Sequence, residues 1–188
     1  MNQPRHFHGP YDDSERRKWQ DPEAILAGIG LRPGFTFADI GCGGGFFALP
    51  AARMVGENGR VYGLDANANL IAALKDEATG EGLGNLQLIT GRAEESPVCG
   101  HCADIVFIGI ALHDFQDPAK VLQNARKTLK PAGILANLDW KKESMGLGPP
   151  LRIRFDVATA ADLIKGAGFT IEKIEDSGPY HYLIIARP

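Results

Sequence analysis

A run of glycines between two apolar segments is the feature that most constrains the fold of this chain. The run, Gly41-Cys42-Gly43-Gly44-Gly45, follows a short buried strand predicted from Thr36 to Ile40. An apolar helix is predicted to follow it, from Phe46 to Val55. Glycines in such a turn let backbone N–H groups approach a ligand closely at the N-terminus of the helix. The pattern therefore predicts an α/β fold with a ligand at the end of its first strand.

Strands and helices alternate along most of the remaining chain. A helix capped by Ser14 is predicted to reach Ile29, with a restart at Asp21-Pro22 as the alternative. The later predicted elements are a strand from Val61 to Leu64, a helix beginning at Asn67 or Asn69, a strand from Leu86 to Thr90, a strand from Asp104 to Ile110, a helix from Asp117 to Leu129, a strand from Gly133 to Leu138, and a helix capped by Thr159 and closed by Gly168.

The final two strands define the topology at one edge of the sheet. They are predicted from Phe169 to Ile174 and from Tyr180 to Ala186. Parallel neighbours need a crossover of about a dozen residues or more, so this short connection predicts a hairpin. We expect a Rossmann-like, doubly wound α/β domain spanning residues 1–188. Its seven-stranded, mostly parallel sheet has an antiparallel last strand and helices on both faces.

Composition and charge limit the kinds of binding partner and the cellular location that we expect for this protein. The net charge is −3 and the isoelectric point is near 5.9, so no global positive field attracts nucleic acid or an anionic membrane. Nucleic acid is not an expected partner. No run of about 20 apolar residues occurs, and Met1 to Trp19 is polar, so we expect neither a membrane span nor a secretory signal. The expected location is cytoplasmic.

The three cysteines are an odd number, which suits a reducing compartment better than a disulfide framework. Cys42 lies within the glycine run, where a small side chain is the simple explanation. The segment from Cys99 to Cys102 could form half of a metal or redox site. A single pair lacks the four ligands of a structural zinc, so no metal is expected.

Two aspartates at the ends of neighbouring strands carry the binding chemistry. Asp39 supplies a carboxylate suited to a cationic group of the ligand. Asp65 follows twenty residues after Gly45, and its carboxylate can accept hydrogen bonds from two ribose hydroxyls. Asp and Gly also favour such positions merely because they shape turns. Their order and spacing inside a strand–helix–strand unit favour the binding of a nucleoside.

Three segments resemble class I S-adenosylmethionine (SAM)-dependent methyltransferases, and most closely the ubiquinone/menaquinone methyltransferase superfamily with its small archaeal and bacterial relatives. Phe37 to Gly45 is similar to the first motif of that family, and Val61 to Asp65 is similar to the second. Leu129 to Leu135 resembles the segment that enters the fifth strand. The resemblance extends from about Trp19 to Pro188, and it implies SAM as cofactor, with S-adenosylhomocysteine as product.

The resemblance implies a role for particular residues. Asp39 and the glycine run would hold the methionine part of SAM, and Asp65 would hold the ribose. Arg92 stands where the family often has an aspartate near the adenine, so Ala93 and Glu94 are the alternative contacts. The cofactor-binding residues expected on this basis are Asp39, Gly41, Cys42, Gly43, Gly45, Asp65, Ala66, Arg92, Ala93, Glu94 and Ile110.

The expected reaction is transfer of a methyl group to a small acceptor. Because a sulfonium methyl is intrinsically electrophilic, transfer mainly requires an acceptor held behind it in a site without water. A hydroxyl or carbon acid also benefits from a general base, and His113 is the histidine expected at the carboxyl edge of the sheet. The alternative for His113 is a partly buried residue that packs beside Phe115.

Acceptor contacts are expected from two segments that the nucleotide core does not explain. The first is residues 1–20, a lid or a flexible segment, and the second connects Asp139 to Phe155. The short chain indicates a small acceptor, or a cap completed by a second subunit in a homodimer. The side chains considered are His6, Phe7, His8 and Tyr11 in the first segment and Asp139, Trp140, Lys141, Lys142 and Arg152 in the second.

Two other functions compete with methyl transfer. An NAD-dependent oxidoreductase also places glycines after its first strand, but its GxGxxG pattern needs a small residue where this chain has Phe46. A non-catalytic SAM-binding protein is the other alternative, and Arg92 is the feature that favours it.

Overall fold

The computed structural model describes residues 13–188, which form one mixed sheet with helices on both faces. The strands are β1 (Thr36–Ile40), β2 (Arg60–Asp65), β3 (Leu86–Thr90), β4 (Ala103–Gly109), β5 (Leu129–Trp140), β6 (Thr170–Ser177) and β7 (His181–Arg187). The helices are α1 (Asp13–Arg17), α2 (Pro22–Gly28), α3 (Ala48–Val55), α4 (Ala68–Gly80), α5 (Pro118–Thr128) and α6 (Val157–Gly166), with a 3-10 turn at Leu112–Asp114.

The strand order is β3-β2-β1-β4-β5-β7-β6. Strands β1 to β5 pair in parallel, whereas β7 is antiparallel to both β5 and β6. The predicted doubly wound sheet with a terminal hairpin and a reversed last strand is therefore confirmed. In this order the chain turns in opposite directions from β1 and β4, so the carboxyl ends of these two strands meet at the switch point where ligands bind in such sheets.

Successive side chains of each strand point to opposite faces of the sheet, so the core has two layers. Phe37 and Phe107 pack against α2, α3 and α4 on one face, with ring centroids 5.8 Å apart. Ala38 and Val106 pack against α5 and α6 on the other face. All four are fully buried. Full burial of a phenylalanine side chain contributes about 1.5–3 kcal/mol, so both layers hold the sheet against its helices and fix the positions of its strand ends.

Local hydrogen bonds explain where the structure differs from the predicted helix boundaries. The Asp21 carboxylate accepts from the Ala24 amide at 3.0 Å, so α2 starts anew after α1, as the restart alternative predicts. Asp156 caps α6 by accepting from the Thr159 amide at 2.8 Å. The prediction of Thr159 as the cap is therefore wrong, because an equally good capping side chain lies three residues earlier.

Strand β5 is twice as long as predicted, because it begins at Leu129 rather than Gly133 and continues to Trp140. Leu129 pairs with Ala103 of β4 before a register shift, which lets the chain enter the sheet directly from α5. The extension at the other end brings Asp139 and Trp140 to the carboxyl edge. Both residues were expected in the connection after the strand.

The cysteines differ from the expectation drawn from their number. Cys99 and Cys102 form a disulfide across a short turn, with Cα atoms 6.0 Å apart, while Cys42 is free and buried. The amides of His101 and Cys102 donate to carbonyls at the end of α5. Such a pairing depends on the local turn, which a cysteine count does not reveal. Within the described residues, no helix has the length and apolarity needed to cross a membrane.

Candidate functional site

A cavity of about 400 Å³ opens at the carboxyl edge of the sheet, beside the ends of β1, β2, β4 and β5. It brings together seven of the residues predicted from the sequence to form the site, namely Asp39, Gly41, Cys42, Gly43, Asp65, Ile110 and His113. Five others do not line it, namely Gly45, Ala66, Arg92, Ala93 and Glu94. The two aspartates at neighbouring strand ends thus face one cavity.

Asp39 is a buried carboxylate without a full set of partners. It is 2% exposed, and its Oδ2 accepts no hydrogen bond from the described part of the chain. Burial, together with the nearby charge of Asp65, raises the pKa of Asp39 to about 7 against the opposing charge of Arg16. A cationic group placed beside Asp39 would supply the missing partner and favour the ionised carboxylate.

The glycine run is shaped by close contacts with the strands around it. The amides of Gly41 and Cys42 both donate to the Leu64 carbonyl. Gly41 has a φ of +80°, and a Cβ there would lie 2.8 Å from the Ala111 Cβ. Gly45, with a φ of +91°, packs against Leu74, and a side chain there would overlap that residue. The absence of a side chain at Gly45 therefore lets the chain pack against Leu74 before α3 begins, whereas Gly41 lies at the cavity.

Asp65 is held rigidly where β2 ends. It is 5% exposed, and its two carboxylate oxygens accept from the Gly43 amide at 2.9 Å and the Asn67 amide at 2.8 Å. A carboxylate has about four acceptor positions, so each oxygen keeps capacity for a ligand. The bond from Gly43 also fixes the glycine run to β2.

The segment after β3 is bonded to the segment after the 3-10 turn. Arg92 donates to the Gln116 side chain at 3.0 Å and lies 3.3 Å from Glu94. The Asn124 side chain donates to the carbonyls of Ala93 and Glu94. These bonds place the three predicted residues beside the cavity rather than in its wall.

His113 forms a buried pair with Asp139. The two side chains are each 1% exposed, and His113 Nδ1 lies 2.7 Å from Asp139 Oδ1, which also accepts from the Trp140 amide. Burial opposes protonation of the imidazole, but the charge and hydrogen bond of Asp139, together with Asp114, outweigh it and raise the pKa of His113. Sequence reasoning singled out both residues but not their pairing, which the adjacency of β4 and β5 could have indicated.

Arg16 is a site residue that sequence reasoning missed. It reaches the cavity from α1, with its guanidinium carbon 3.8 Å from the centre of the Phe46 ring and its Nε donating to Gln20 at 2.7 Å. Burial lowers its pKa to about 10, so it stays charged at neutral pH. Among the described residues that line the cavity, it is the sole arginine or lysine. Its position three residues before Trp19 gave no sequence signal.

Aromatic rings enclose the side of the cavity away from Asp65. The rings of Trp19 and Trp140 lie 5.6 Å apart, and Phe46, Phe47 and Phe115 complete the surface. Gly148 and Pro149 contribute from the connection after β5, as that segment was expected to do. Lys141, Lys142 and Arg152 do not line the cavity, and His6, Phe7, His8 and Tyr11 lie outside the described residues.

Comparison with known proteins places the chain in a family. The family described as "Methyltransferase domain" matches residues 31–175. A SAM-dependent methyltransferase from Aquifex aeolicus is 28% identical, with a TM-score of 0.86 over 94% of this chain and 98% of that one.

Two curated relatives are similar over a shorter span. The demethylmenaquinone methyltransferase of Geobacillus kaustophilus is 30% identical over 68% of this chain and 54% of its own length. The 2-phytyl-1,4-naphtoquinone methyltransferase of Trichormus variabilis is 32% identical over 68% of this chain and 56% of its own. The chain thus spans about half the length of these relatives. It belongs to the methyltransferase-domain family of SAM-dependent enzymes.

Proposed function

We propose that this protein transfers a methyl group from SAM to a small acceptor, with His113 as general base. The observation that carries the proposal is that Asp39, Asp65 and His113 line one cavity at the switch point of the sheet. The family assignment supports methyl transfer and does not favour the two alternatives, an NAD-dependent oxidoreductase and a non-catalytic SAM-binding protein.

The chemistry of the cavity fits each part of the cofactor. The buried, unpartnered oxygen of Asp39 suits the α-ammonium group, and the Arg16 guanidinium suits the α-carboxylate. The spare acceptor positions of Asp65 suit the two ribose hydroxyls. Opposite charges at one end of the pocket therefore match the zwitterionic end of SAM, and the hydrogen-bond acceptors of Asp65 at the other end match its ribose.

His113 is oriented for proton transfer at one nitrogen. Its Nδ1 faces Asp139, so the proton on that nitrogen is directed to the carboxylate and Nε2 is the basic position. When bound, SAM supplies an electrophilic methyl group on a sulfonium. Nε2 takes the proton from the acceptor, and the charge of Asp139 stabilises the resulting imidazolium. The aromatic rings exclude water from this side of the cavity.

The enclosing rings support a planar aromatic acceptor. Trp19, Trp140 and Phe47 offer faces and edges on which an aromatic ring packs well. The two curated relatives are named for a menaquinone and a naphthoquinone substrate. We therefore include in the proposal an aromatic, hydroxyl-bearing acceptor, such as a reduced quinone.

Calorimetric titration followed by a turnover assay tests the proposal. Heat should evolve on adding SAM or S-adenosylhomocysteine, and none on adding NAD. Turnover is then measured with reduced naphthoquinones and simple phenols, using S-adenosylhomocysteine release as the readout. Binding of NAD without binding of SAM would overturn the assignment. Binding of SAM without turnover of any aromatic acceptor would overturn the acceptor class alone.

A further inference from the structure

One buried arginine organises the connection between β5 and α6. This connection, residues 141–156, contains neither helix nor strand, and we name it the β5–α6 loop. Arg154 near its end is only 3% exposed. Its guanidinium donates to four main-chain carbonyls of the loop, those of Lys141, Glu143, Leu147 and Pro149, at distances of 2.6–3.2 Å.

The partners of Arg154 show why this position holds an arginine. Within the described residues it forms no ion pair, so its charge is balanced by carbonyl dipoles instead. Burying a charge costs free energy unless hydrogen bonds compensate. The planar fork of five N–H donors can join all four carbonyls at once, whereas a lysine has three donors and an apolar side chain has none. The loop thus takes its shape around the guanidinium.

The same loop supplies a wall of the cavity. Gly148 and Pro149 line it, and Trp140 stands next to them. Gly148 has a φ of +84° and packs so closely on the Trp140 ring that a Cβ would lie 2.8 Å from it. The Arg154 guanidinium carbon lies 5.4 Å from the centre of that ring. Trp140 is therefore packed between the arginine and the segment that the arginine holds.

We propose that Arg154 is a positioning residue for the acceptor: by bonding four carbonyls of the β5–α6 loop, it fixes Gly148, Pro149 and Trp140 as the acceptor-side wall. The acceptor part of this inference rests on the proposed function, whereas the ordering of the loop does not. Asp39 and Asp65 lie on β1 and β2, so the cofactor side should not depend on Arg154.

The charge of Arg154 also acts on the catalytic pair. Burial lowers the pKa of His113, Asp139 and Asp114 raise it, and Arg154 opposes the two carboxylates. Removal of the positive charge should therefore let the imidazole hold its proton to a higher pH. Arg154→Lys keeps the positive charge, so it separates this effect from hydration of His113 by a loosened loop, which would also raise the pKa.

The test compares Arg154→Met with Arg154→Lys, and uses Arg152→Met as the matched control. Arg152 is an exposed arginine of the same loop. In Arg154→Met, hydrogen exchange over residues 141–156 should accelerate by roughly tenfold or more, as expected for losing several charged hydrogen bonds. The affinity for S-adenosylhomocysteine should change by less than about threefold, which is about half of a tenfold change on a free-energy scale. Arg152→Met should match the wild type in both measurements.

Two further readouts separate positioning from general damage. For an aromatic acceptor that the wild type methylates, KM should rise by roughly tenfold in Arg154→Met while kcat changes less. The KM of Arg154→Lys should lie between those of Arg154→Met and the wild type. The titration midpoint of His113, followed by NMR and assigned with His113→Gln, should move up in Arg154→Met and stay in Arg154→Lys.

The inference would be overturned if the hydrogen-exchange rate of the loop were the same in Arg154→Met as in the wild type. It would also be overturned if the affinity for S-adenosylhomocysteine fell by as large a factor as the exchange rate rose. If Arg154→Met does not fold, the same comparison is made with Arg154→Lys, whose loop should exchange faster than that of Arg152→Met. Failure of the proposed function would appear differently, as absence of SAM binding in the wild type.

Discussion

The two halves of the cavity are built in different ways. The proposed cofactor half consists of Asp39, the glycine run and Asp65, all within 27 positions of the chain on and between two neighbouring strands. The proposed acceptor half combines Trp19, the 3-10 turn, the end of β5 and the β5–α6 loop, which lie far apart in sequence. The first half is fixed by backbone bonds within one strand–helix–strand unit. The second depends on contacts between side chains of separate segments, so the two halves should respond separately to substitution.

The largest expected effect lies in the acceptor half. Substitution of His113 by Gln should lower kcat by roughly 10²–10⁴-fold, the usual contribution of a general base. The affinity for S-adenosylhomocysteine should stay nearly constant, because the role proposed for His113 concerns the acceptor and not the cofactor. Asp139→Asn is the matched variant and should also lower kcat, since it removes the charge that stabilises the imidazolium. Steady-state rates with an aromatic acceptor and calorimetry provide the two measurements. Full turnover in His113→Gln would exclude the base role.

The next largest effect lies in the cofactor half. Asp65→Ala should weaken SAM binding by about 1–3 kcal/mol, the scale for losing hydrogen bonds to a charged group. Part of this loss comes from the Gly43 amide, which the carboxylate also holds. Asp65→Asn keeps one acceptor oxygen and should lose less. Calorimetric titration measures both, and unchanged affinity in a folded Asp65→Ala protein would remove this residue from the site.

The sequence predicted the fold and the placement of Asp39 and Asp65 at the ends of neighbouring strands, for a physical reason. Strand alternation, turn residues and the Asp39 and Asp65 positions are local patterns, and parallel pairing of β1 with β2 follows from the crossover between them. The rest of the site carries no such local pattern. Arg16 stacks on Phe46 across thirty positions, and the pairing of His113 with Asp139 spans 26. These contacts depend on tertiary packing, which one sequence does not display.

An effect of similar size tests whether steric contacts hold the glycine run in place. Gly45→Ala should destabilise the fold by about 1–3 kcal/mol, because φ is +91° and the new methyl group would overlap Leu74. Gly44→Ala is the matched control, since a Cβ there meets nothing within 4 Å. Urea unfolding of both variants measures the difference. Equal stabilities would show that the run tolerates side chains and is less rigid than the account requires.

The pH dependence of cofactor binding should be the mildest effect. Asp39 has a pKa of about 7 in the fold against 3.8 as an ordinary value, so the ligand-free protein keeps it neutral between these limits. The folded state binds the extra proton, and stability therefore falls as pH rises from about 4 to about 7. A bound ammonium group favours the carboxylate, so SAM affinity should rise by up to about tenfold per pH unit below 7 and then level off.

Calorimetry of S-adenosylhomocysteine between pH 5.5 and 8 checks this dependence. Asp39→Asn is the control, and its weaker binding should lose most of the pH dependence. A wild-type affinity that stays constant across this range would contradict a direct contact between Asp39 and the ammonium group.

In the proposed site, one cavity holds the nucleoside at Asp65 and the amino-acid end of the cofactor at Asp39. A crystal structure with S-adenosylhomocysteine is the decisive measurement. We expect ribose hydroxyls on the Asp65 carboxylate, the ammonium group at Asp39 and the carboxylate near Arg16. A ligand seated elsewhere, or one whose ribose and amino group leave both aspartates without contact, would refute the proposed site.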